Sequence, residues 1–173
     1  VVVTTGGGAL SDAVGFAAAI WKRGVQLIHI PTTPLAAVDA AWGGKTGINW
    51  SGSKNQLGPF APPLAVHIDA RWMHTLPSRE FHAGLAEVAK HALLDETAFA
   101  TCSDNLPPWP TSAQGHLSWT EFLEQSAQVK QKVVQEDPEE RGVRCILNLG
   151  HTVGHAIEAF TASSPAPWLH GEA

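Results

Sequence analysis

The sequence predicts an α/β fold over its first 70 residues and a helical fold after them. Two observations carry that reading. Residues 1–30 run from an apolar β-branched segment through Gly6-Gly7-Gly8 and an amphipathic stretch into a second apolar β segment, the pattern of a βαβ unit. Beyond residue 69 the strand patterns stop, and three long stretches carry apolar residues at helical spacing. Of the 173 residues, 44% are hydrophobic and 16% charged, which suits a globular chain with a core.

Val1-Val2-Val3-Thr4-Thr5 predicts a buried strand over 1–5. After the glycine turn, Val14, Ala17, Ala18 and Trp21 predict a helix over 11–22, with Ser11 or Asp12 as cap and Gly24 as stop. The apolar run 26–30 is the next strand, and a crossover of this kind makes the pair parallel. Pro31-Thr32-Thr33-Pro34 ends it; a short helix follows over 35–41, then a long loop over 42–60 rich in Gly, Ser, Asn and Lys. Loops of that length inside a compact domain tend to be functional. A short strand is expected over 65–69, and helices over 78–94, 120–135 and 144–160. Pro107, Pro108, Pro110 and Gly115 mark the segment from Cys102 to Trp119 as a connecting loop. The opening valines read as a strand already under way and His170-Gly171-Glu172-Ala173 as a helix just starting, so both ends are expected to be internal to a longer protein.

Sixteen acidic against eleven basic residues leave a net charge of −5, which disfavours nucleic acid and anionic membrane surfaces as partners. No apolar run approaches the ~20 residues of a membrane helix. Cys102 and Cys145 make no CxxC; the aliphatic neighbours of Cys145 suggest a buried thiol, and the pair reads as that of a reducing, cytoplasmic compartment.

Several residues can do chemistry. The glycine triplet leaves backbone N–H groups free at a helix N-terminus, suited to a phosphate or pyrophosphate, although tight turns also use glycine for steric reasons alone. Gly43-Gly44-Lys45-Thr46-Gly47 lacks the first glycine of a nucleotide-triphosphatase loop; it presents Lys45, with Lys54 and Asn55 nearby, either to anionic oxygens or to solvent. Glu87 and Lys90 share a helix face and could be no more than a solvated ion pair. His151 and His155 stand four apart on a helix, and Thr152 excludes the HExxH motif. A helix, a return loop and a new helix start could bring His170 back to His151. Glu87, His151 and His170 would then form a three-ligand site with positions left open, the pattern of catalytic zinc.

Taken together, the strings Gly6-Gly7-Gly8 with Asp12, Pro31-Thr32-Thr33 with Asp39, Gly43-Gly44-Lys45-Thr46-Gly47-Ile48-Asn49, Gly84-Leu85-Ala86-Glu87-Val88-Ala89-Lys90, Leu147-Asn148-Leu149-Gly150-His151-Thr152 and His170-Gly171-Glu172-Ala173 resemble the 3-dehydroquinate synthases in order and spacing. The resemblance covers nearly the whole chain. It implies a dehydroquinate synthase-like fold, with a Rossmann-like parallel sheet in a partial NAD-binding α/β domain over 1–70 and a partial all-helical metal- and substrate-binding domain over 71–173. It further implies a zinc or cobalt ion on Glu87, His151 and His170, and NAD at Gly6, Gly7, Gly8, Asp12, Thr32, Thr33 and Asp39. Lys45 and Lys54 stand beside the cofactor as well. Lys45, Asn55, Lys90, Lys130, Arg144, Asn148 and His155 would grip or act on the substrate, with Arg23 and Lys54 as further phosphate candidates. Lys45, Lys54, Lys90, Lys130 and Arg144 are thereby expected to converge on one cleft.

The activity so implied is the shikimate-pathway closure of 3-deoxy-arabino-heptulosonate 7-phosphate to 3-dehydroquinate and phosphate, an NAD- and metal-dependent carbon–oxygen lyase reaction, in a protein that is a homodimer at full length. Related cyclases making 2-deoxy-scyllo-inosose or 2-epi-5-epi-valiolone, a metal-dependent polyol dehydrogenase and a non-catalytic remnant are the competing readings. Arg144 and Asn148 favour a substrate that bears a carboxylate. Members of the family extend on both sides of this region, so the isolated chain is expected to be weakly stable or to depend on association.

Overall fold

The computed structural model of the chain describes residues 1–51, 53–96 and 113–173. Strand β1 (Val2–Gly6) leads into helix α1 (Gly8–Ile20), and β2 (Leu27–Pro31) returns beside β1 in parallel with Val2 opposite Leu27. A two-residue strand β5 (Ala65–Val66) pairs in parallel on the other side of β2, so the sheet order is β1-β2-β5. This is the parallel sheet that the strand–glycine–helix–strand pattern predicts, but β1 is its edge and is not the buried strand expected: Val1 and Val3 are exposed, and of its residues only Thr4 is buried. Inside it, the hydroxyl of Thr4 and Nδ1 of His29 meet at 2.9 Å, which satisfies both buried polar groups.

Helix α1 starts at Gly8 with Gly7 as its cap, so Ser11 and Asp12 lie inside the helix and do not cap it. Ser11 donates its hydroxyl to the Gly7 carbonyl at 3.3 Å. The short helix α2 (Pro34–Val38) is capped by Thr33, whose Oγ1 accepts from the Ala36 N–H at 3.1 Å, with Pro34 at its first position. A 3₁₀ turn, Ala40–Trp42, continues it.

The region expected to be a long loop contains an antiparallel hairpin, β3 (Ile48–Trp50) and β4 (Ser53–Leu57), extended by a bridge between Lys45 and Phe60. The strands are short, β4 is largely polar and glycines flank them, which hides the alternation by which a strand is recognised; pairing supplies what propensity lacks. Gly58 is pressed against this loop: a Cβ there would fall 1.7 Å from the Thr46 carbonyl oxygen.

Helix α3 (Ser78–Leu94) occupies the predicted span and buries Phe81, Gly84, Val88 and Ala92 at three- and four-residue intervals. Gly84 lets it approach α2 closely, since a Cβ would lie 2.8 Å from the Leu35 nitrogen. Helix α4 (Ala113–Glu136) begins earlier than expected. Gly115 therefore belongs to a helix; Cys102, Pro107, Pro108 and Pro110 lie outside the described residues. Its buried stripe of Trp119, Phe122, Leu123, Ser126, Ala127 and Lys130 packs on α2 and α3. The core joins Ala37 and Val38 of α2 to Phe81 and Val88 of α3 and Trp119, Phe122, Leu123 and Ala127 of α4, drawing on both sides of residue 70. Trp119 stands edge-on to Phe81 at 4.9 Å and to Phe122 at 5.4 Å.

The helix expected over 144–160 is broken. Val143–Asn148 forms a 3₁₀ turn, Gly150 takes the left-handed conformation at φ 82°, and α5 (His151–Thr161) begins after it. Only glycine adopts that angle at little cost, and the break places His151 on the first turn of a new helix. The chain ends in a 3₁₀ turn, His170–Glu172, against α3. Cys145 is exposed, contrary to the expectation of burial, because the 3₁₀ turn directs Arg144 and Leu147 inward instead. Among the described residues no helix is long and apolar enough to cross a membrane.

Candidate metal and anion site

Glu87 projects from the middle of α3, His151 from the first turn of α5, and His170 from the terminal turn that rests on α3. One ligand atom from each lies within 4.8 Å of the others. His170 Nε2 is 3.4 Å from Glu87 Oε1, about the separation of two ligand atoms across a tetrahedral ion bound at roughly 2.0–2.1 Å. His151 Nδ1 faces the Leu149 carbonyl at 3.3 Å, which engages that nitrogen and leaves Nε2 for an ion. One carboxylate and two imidazoles, with the carboxylate buried, fit a divalent zinc or cobalt ion.

Charge around Glu87 favours the ionised form. Burial works to raise its carboxyl; the hydrogen bond from His170 and the Lys90 ammonium outweigh burial and the repulsion of Asp39, and hold it below its usual range. Lys90 pairs with Glu87 Oε2, and both side chains are buried. The pair is therefore no solvated surface bridge. Burial lowers His151, leaving it neutral as a ligand must be. His170 is raised by its hydrogen bond to Glu87, against burial, with a second contribution from Glu158. His155 is exposed, its ring 5.1 Å from His151 and 5.7 Å from His170.

Beside this donor set opens a cleft of about 340 Å³ whose lining includes Asp12, Asp39, Lys45, Asn55, Lys130 and Arg144. Lys130 reaches across from α4 and donates to Asp39 Oδ1 at 2.5 Å. Burial would raise the Asp39 carboxyl, but the charges of Lys130 and Lys90 and the bond from Lys130 keep it well below the carboxylate range. Asp12 has no such bond: burial, aided by Asp39 and opposed by Lys130, pushes it up to about 6. Arg144 is buried, donating from Nη2 to the Gly43 carbonyl at 2.6 Å and from Nη1 to that of Pro138 at 2.5 Å. Its guanidinium therefore ties two backbone segments together at the cleft floor.

A second cavity, about 480 Å³, lies between the glycine turn and the terminal turn and is lined by Gly7, Gly8, Thr33, Gly84 and His170 among others. The Gly7 Cα packs on Thr33, since a Cβ there would sit 3.3 Å from Thr33 Cγ2. This opening joins a helix N-terminus to the donor set. Thr32 donates its backbone N–H to the Gly6 carbonyl at 3.0 Å, and the Thr33 hydroxyl is engaged in capping α2. Asp12 and Asp39, grouped by the resemblance with this turn, line the neighbouring cleft.

Of the five cations expected to converge, Lys45, Lys130 and Arg144 line the cleft and Lys90 stands against the donor set. The Lys54 side chain lies outside the described residues. Arg23, exposed and at the far end of α1 from the glycine turn, is not brought to the cleft; the helix between them is 13 residues long, so about 20 Å separates its ends.

Glu140, Glu158 and His91 belong to the site and were not singled out from the sequence. Glu140 pairs with Lys45 and accepts from Asn148 Nδ2 at 2.8 Å, from a left-handed backbone position at φ 58° that no motif signals. Glu158 lies three residues past His155 and seven past His151 on one helix, a spacing from which it could have been found. His91 is fully buried, its Nδ1 2.9 Å from the Ser126 hydroxyl.

Family models described as 3-dehydroquinate synthase N-terminal and C-terminal match residues 1–83 and 84–173. The 3-dehydroquinate synthase of Prochlorococcus marinus (strain MIT 9303) is 47% identical over 173 residues, covering 99% of this chain and 46% of the relative. That of Bordetella pertussis (strain Tohama I) is 45% identical, covering 100% of this chain and 48% of its own length. The chain thus spans about half the length of the curated relatives it matches. A crystal structure of 2-deoxy-scyllo-inosose synthase complexed with carbaglucose-6-phosphate, NAD+ and Co2+ superposes with TM-score 0.78 at 31% identity, over 98% of this chain and 46% of that one. The 2-epi-5-epi-valiolone synthase of Streptomyces hygroscopicus subsp. jinggangensis 5008, with NAD+ and Zn2+ bound, gives 0.74 at 29%, over the same shares.

Proposed function

Since the chain belongs to the 3-dehydroquinate synthase family, we propose that its cleft serves the conversion of 3-deoxy-arabino-heptulosonate 7-phosphate to 3-dehydroquinate and phosphate. The observation that carries this reading is a Glu87–His151–His170 donor set, its carboxylate buried and its imidazoles half-buried, beside a cleft lined by Lys45, Lys130 and Arg144. Residues 1–70 supply the dinucleotide part and 71–173 the metal and substrate part, in a protein that forms a homodimer.

NAD at Gly6, Gly7, Gly8, Asp12, Thr32, Thr33 and Asp39 supplies a reversible hydride acceptor, and a zinc or cobalt ion on Glu87, His151 and His170 supplies a Lewis acid for the substrate's oxygens. The chain's own residues bind and orient. Lys45, Lys130 and Asn55 meet phosphate and hydroxyl oxygens from the cleft walls. Arg144, held by two carbonyls, contributes a fixed positive field at the floor, and Asn148 donates its amide to Glu140, the partner of Lys45. The hydrogen bond from His170 and then the Lys90 ammonium keep Glu87 ionised. His155, exposed beside His151 and His170, passes a proton to or from the substrate phosphate in this reading. Orientation and charge stabilisation are the protein's largest contributions to such a reaction.

The related cyclases of 2-deoxy-scyllo-inosose and 2-epi-5-epi-valiolone are the second reading, favoured by the structural neighbours. Identities of 45–47% to 3-dehydroquinate synthases, against 29–33% to those cyclases, favour the first. The test is phosphate release from 3-deoxy-arabino-heptulosonate 7-phosphate with NAD and zinc, alongside Glu87→Ala and parallel reactions on glucose 6-phosphate and sedoheptulose 7-phosphate. Release from the sugar acid that needs both additions and vanishes in the variant supports the reading. Turnover confined to a sugar phosphate without a carboxylate transfers it to the other cyclases, and folded, metal-loaded protein that releases phosphate from none overturns it.

A further inference from the structure

We infer that Glu158 is a positioning residue: through His170 Nδ1 it selects the imidazole tautomer and ring orientation that leave Nε2 free to share a divalent ion with Glu87 and His151. The inference rests on the metal site proposed above and deepens it.

The two ring nitrogens of His170 each face a carboxylate. Nε2 lies 3.4 Å from Glu87 Oε1, and Nδ1 lies 3.4 Å from Glu158 Oε2. A neutral imidazole carries one N–H and one lone pair. If the proton sits on Nε2, it donates to Glu87 and blocks the position an ion needs. When the proton sits on Nδ1 it donates to Glu158, and Nε2 turns its lone pair toward Glu87 and His151. A carboxylate on the Nδ1 side stabilises the second arrangement, which is the outer-shell support that metal-bound histidines commonly receive. The Glu158 side chain is only 13% exposed and His170 28%, so solvent does not screen the contact away.

Connectivity supports the same role. Helix α5 carries His151 on its first turn and Glu158 two turns later, so one rigid element supplies a ligand and aims another that arrives from a separate segment. The terminal turn is fixed in place independently of Glu158, by Arg79 donating from Nε to Glu172 at 2.7 Å and by Gly171 lying against α3. Glu158 therefore governs the ring of His170 and not the path of its backbone. His155, Glu158 and His170 also lie close enough to hold an ion among themselves, which makes direct ligation the competing role for Glu158.

The experiment titrates Zn2+ and Co2+ into the wild-type chain and the Glu158→Ala and Glu158→Gln variants, each checked for helicity and unfolding. Affinity is read by chelator competition, and His170 by two-bond 15N–1H correlation. For Glu158→Ala we expect affinity ~10–100-fold lower and a mixture of His170 tautomers in place of one protonated on Nδ1. Glu158→Gln loses less, because its amide oxygen still accepts from Nδ1–H. Affinity within about twofold of wild type in both variants overturns the inference. Equal loss in Ala and Gln with a changed Co2+ visible spectrum assigns Glu158 as a ligand and overturns it too. A wild-type chain that takes up no ion overturns the metal site itself, and this inference with it.

Discussion

Gly171 lies so close to Ala83 that a Cβ built on it would fall 1.7 Å from the Ala83 carbonyl oxygen. The terminal turn can therefore rest on α3, with His170 above Glu87, only while its neighbour lacks a side chain. Backbone cannot yield as a flexible side-chain tip can, so any substituent must push the turn away. Gly171→Ala is expected to destabilise the chain by about 1–3 kcal/mol and to weaken zinc binding by at least ~10-fold, since roughly an ångström of misplacement spoils a ligand set. Urea unfolding and zinc competition check this; wild-type zinc affinity in the variant would show that the turn does not set the site.

Lys130 and Asp39 join α4 to the end of α2 through a part-buried bond of 2.5 Å. Removing the cation leaves a mostly buried carboxylate short of its strongest partner, so Lys130→Met should cost up to about 3–5 kcal/mol. Asp39→Asn retains an acceptor and should cost roughly 1–2 kcal/mol. The folded Asp39 carboxyl titrates below its ordinary 3.8, so its contribution is present above that value and is lost as the pH falls through the folded one. The gap in stability between wild type and Asp39→Asn should accordingly shrink in acid. Unfolding measured from pH 7 to pH 3 tests the sign.

Asp12 carries the opposite sign. Its folded carboxyl, pushed up to about 6 from 3.8 mainly by burial, favours the protonated form. Stability from this group is complete below 3.8 and lost as the pH rises through about 6. Asp12→Asn is therefore expected to stabilise the chain at pH 7 by roughly 1–3 kcal/mol and to change nothing near pH 3.5. The same variant should bind NAD more weakly, a trade of stability for function. Thermal unfolding at the two pH values and a fluorescence titration with NAD read both effects.

Arg144 offers a test of planar geometry against mere charge. One guanidinium serves the carbonyls of Gly43 and Pro138 and lies 5.8 Å from the centre of the Phe60 ring. An ammonium cannot reach both carbonyls at once. Arg144→Lys should lose about 1–3 kcal/mol of stability and raise the KM for the sugar acid phosphate more than it lowers kcat. Unchanged unfolding would mean that water replaces one of these bonds without cost.

What the sequence by itself determined is local and repetitive. The βαβ pattern of 1–30 and the apolar stripe of 78–94 follow from side-chain period and glycine placement; the helix of 78–94 and, to within a residue, the two strands formed where that period placed them, while α1 began three residues earlier, at the glycine turn itself. The order of the family strings also singled out Glu87, His151 and His170, and the four-residue spacing on a helix paired His151 with His155. Tertiary structure alone decided the rest. It turned 42–60 into a hairpin, because strand pairing is a contact with another segment that local propensity does not encode. The break at Gly150 required knowledge of φ, which a glycine leaves open. The Arg144 bond to Gly43 and the entry of Glu140 and Glu158 into the site likewise arise between residues 8 to 101 apart, and burial of the Glu87–Lys90 pair, three residues apart on one helix, depends on what packs over it. Periodicity reports which way a side chain faces on its own element; only packing reports what waits on the other side.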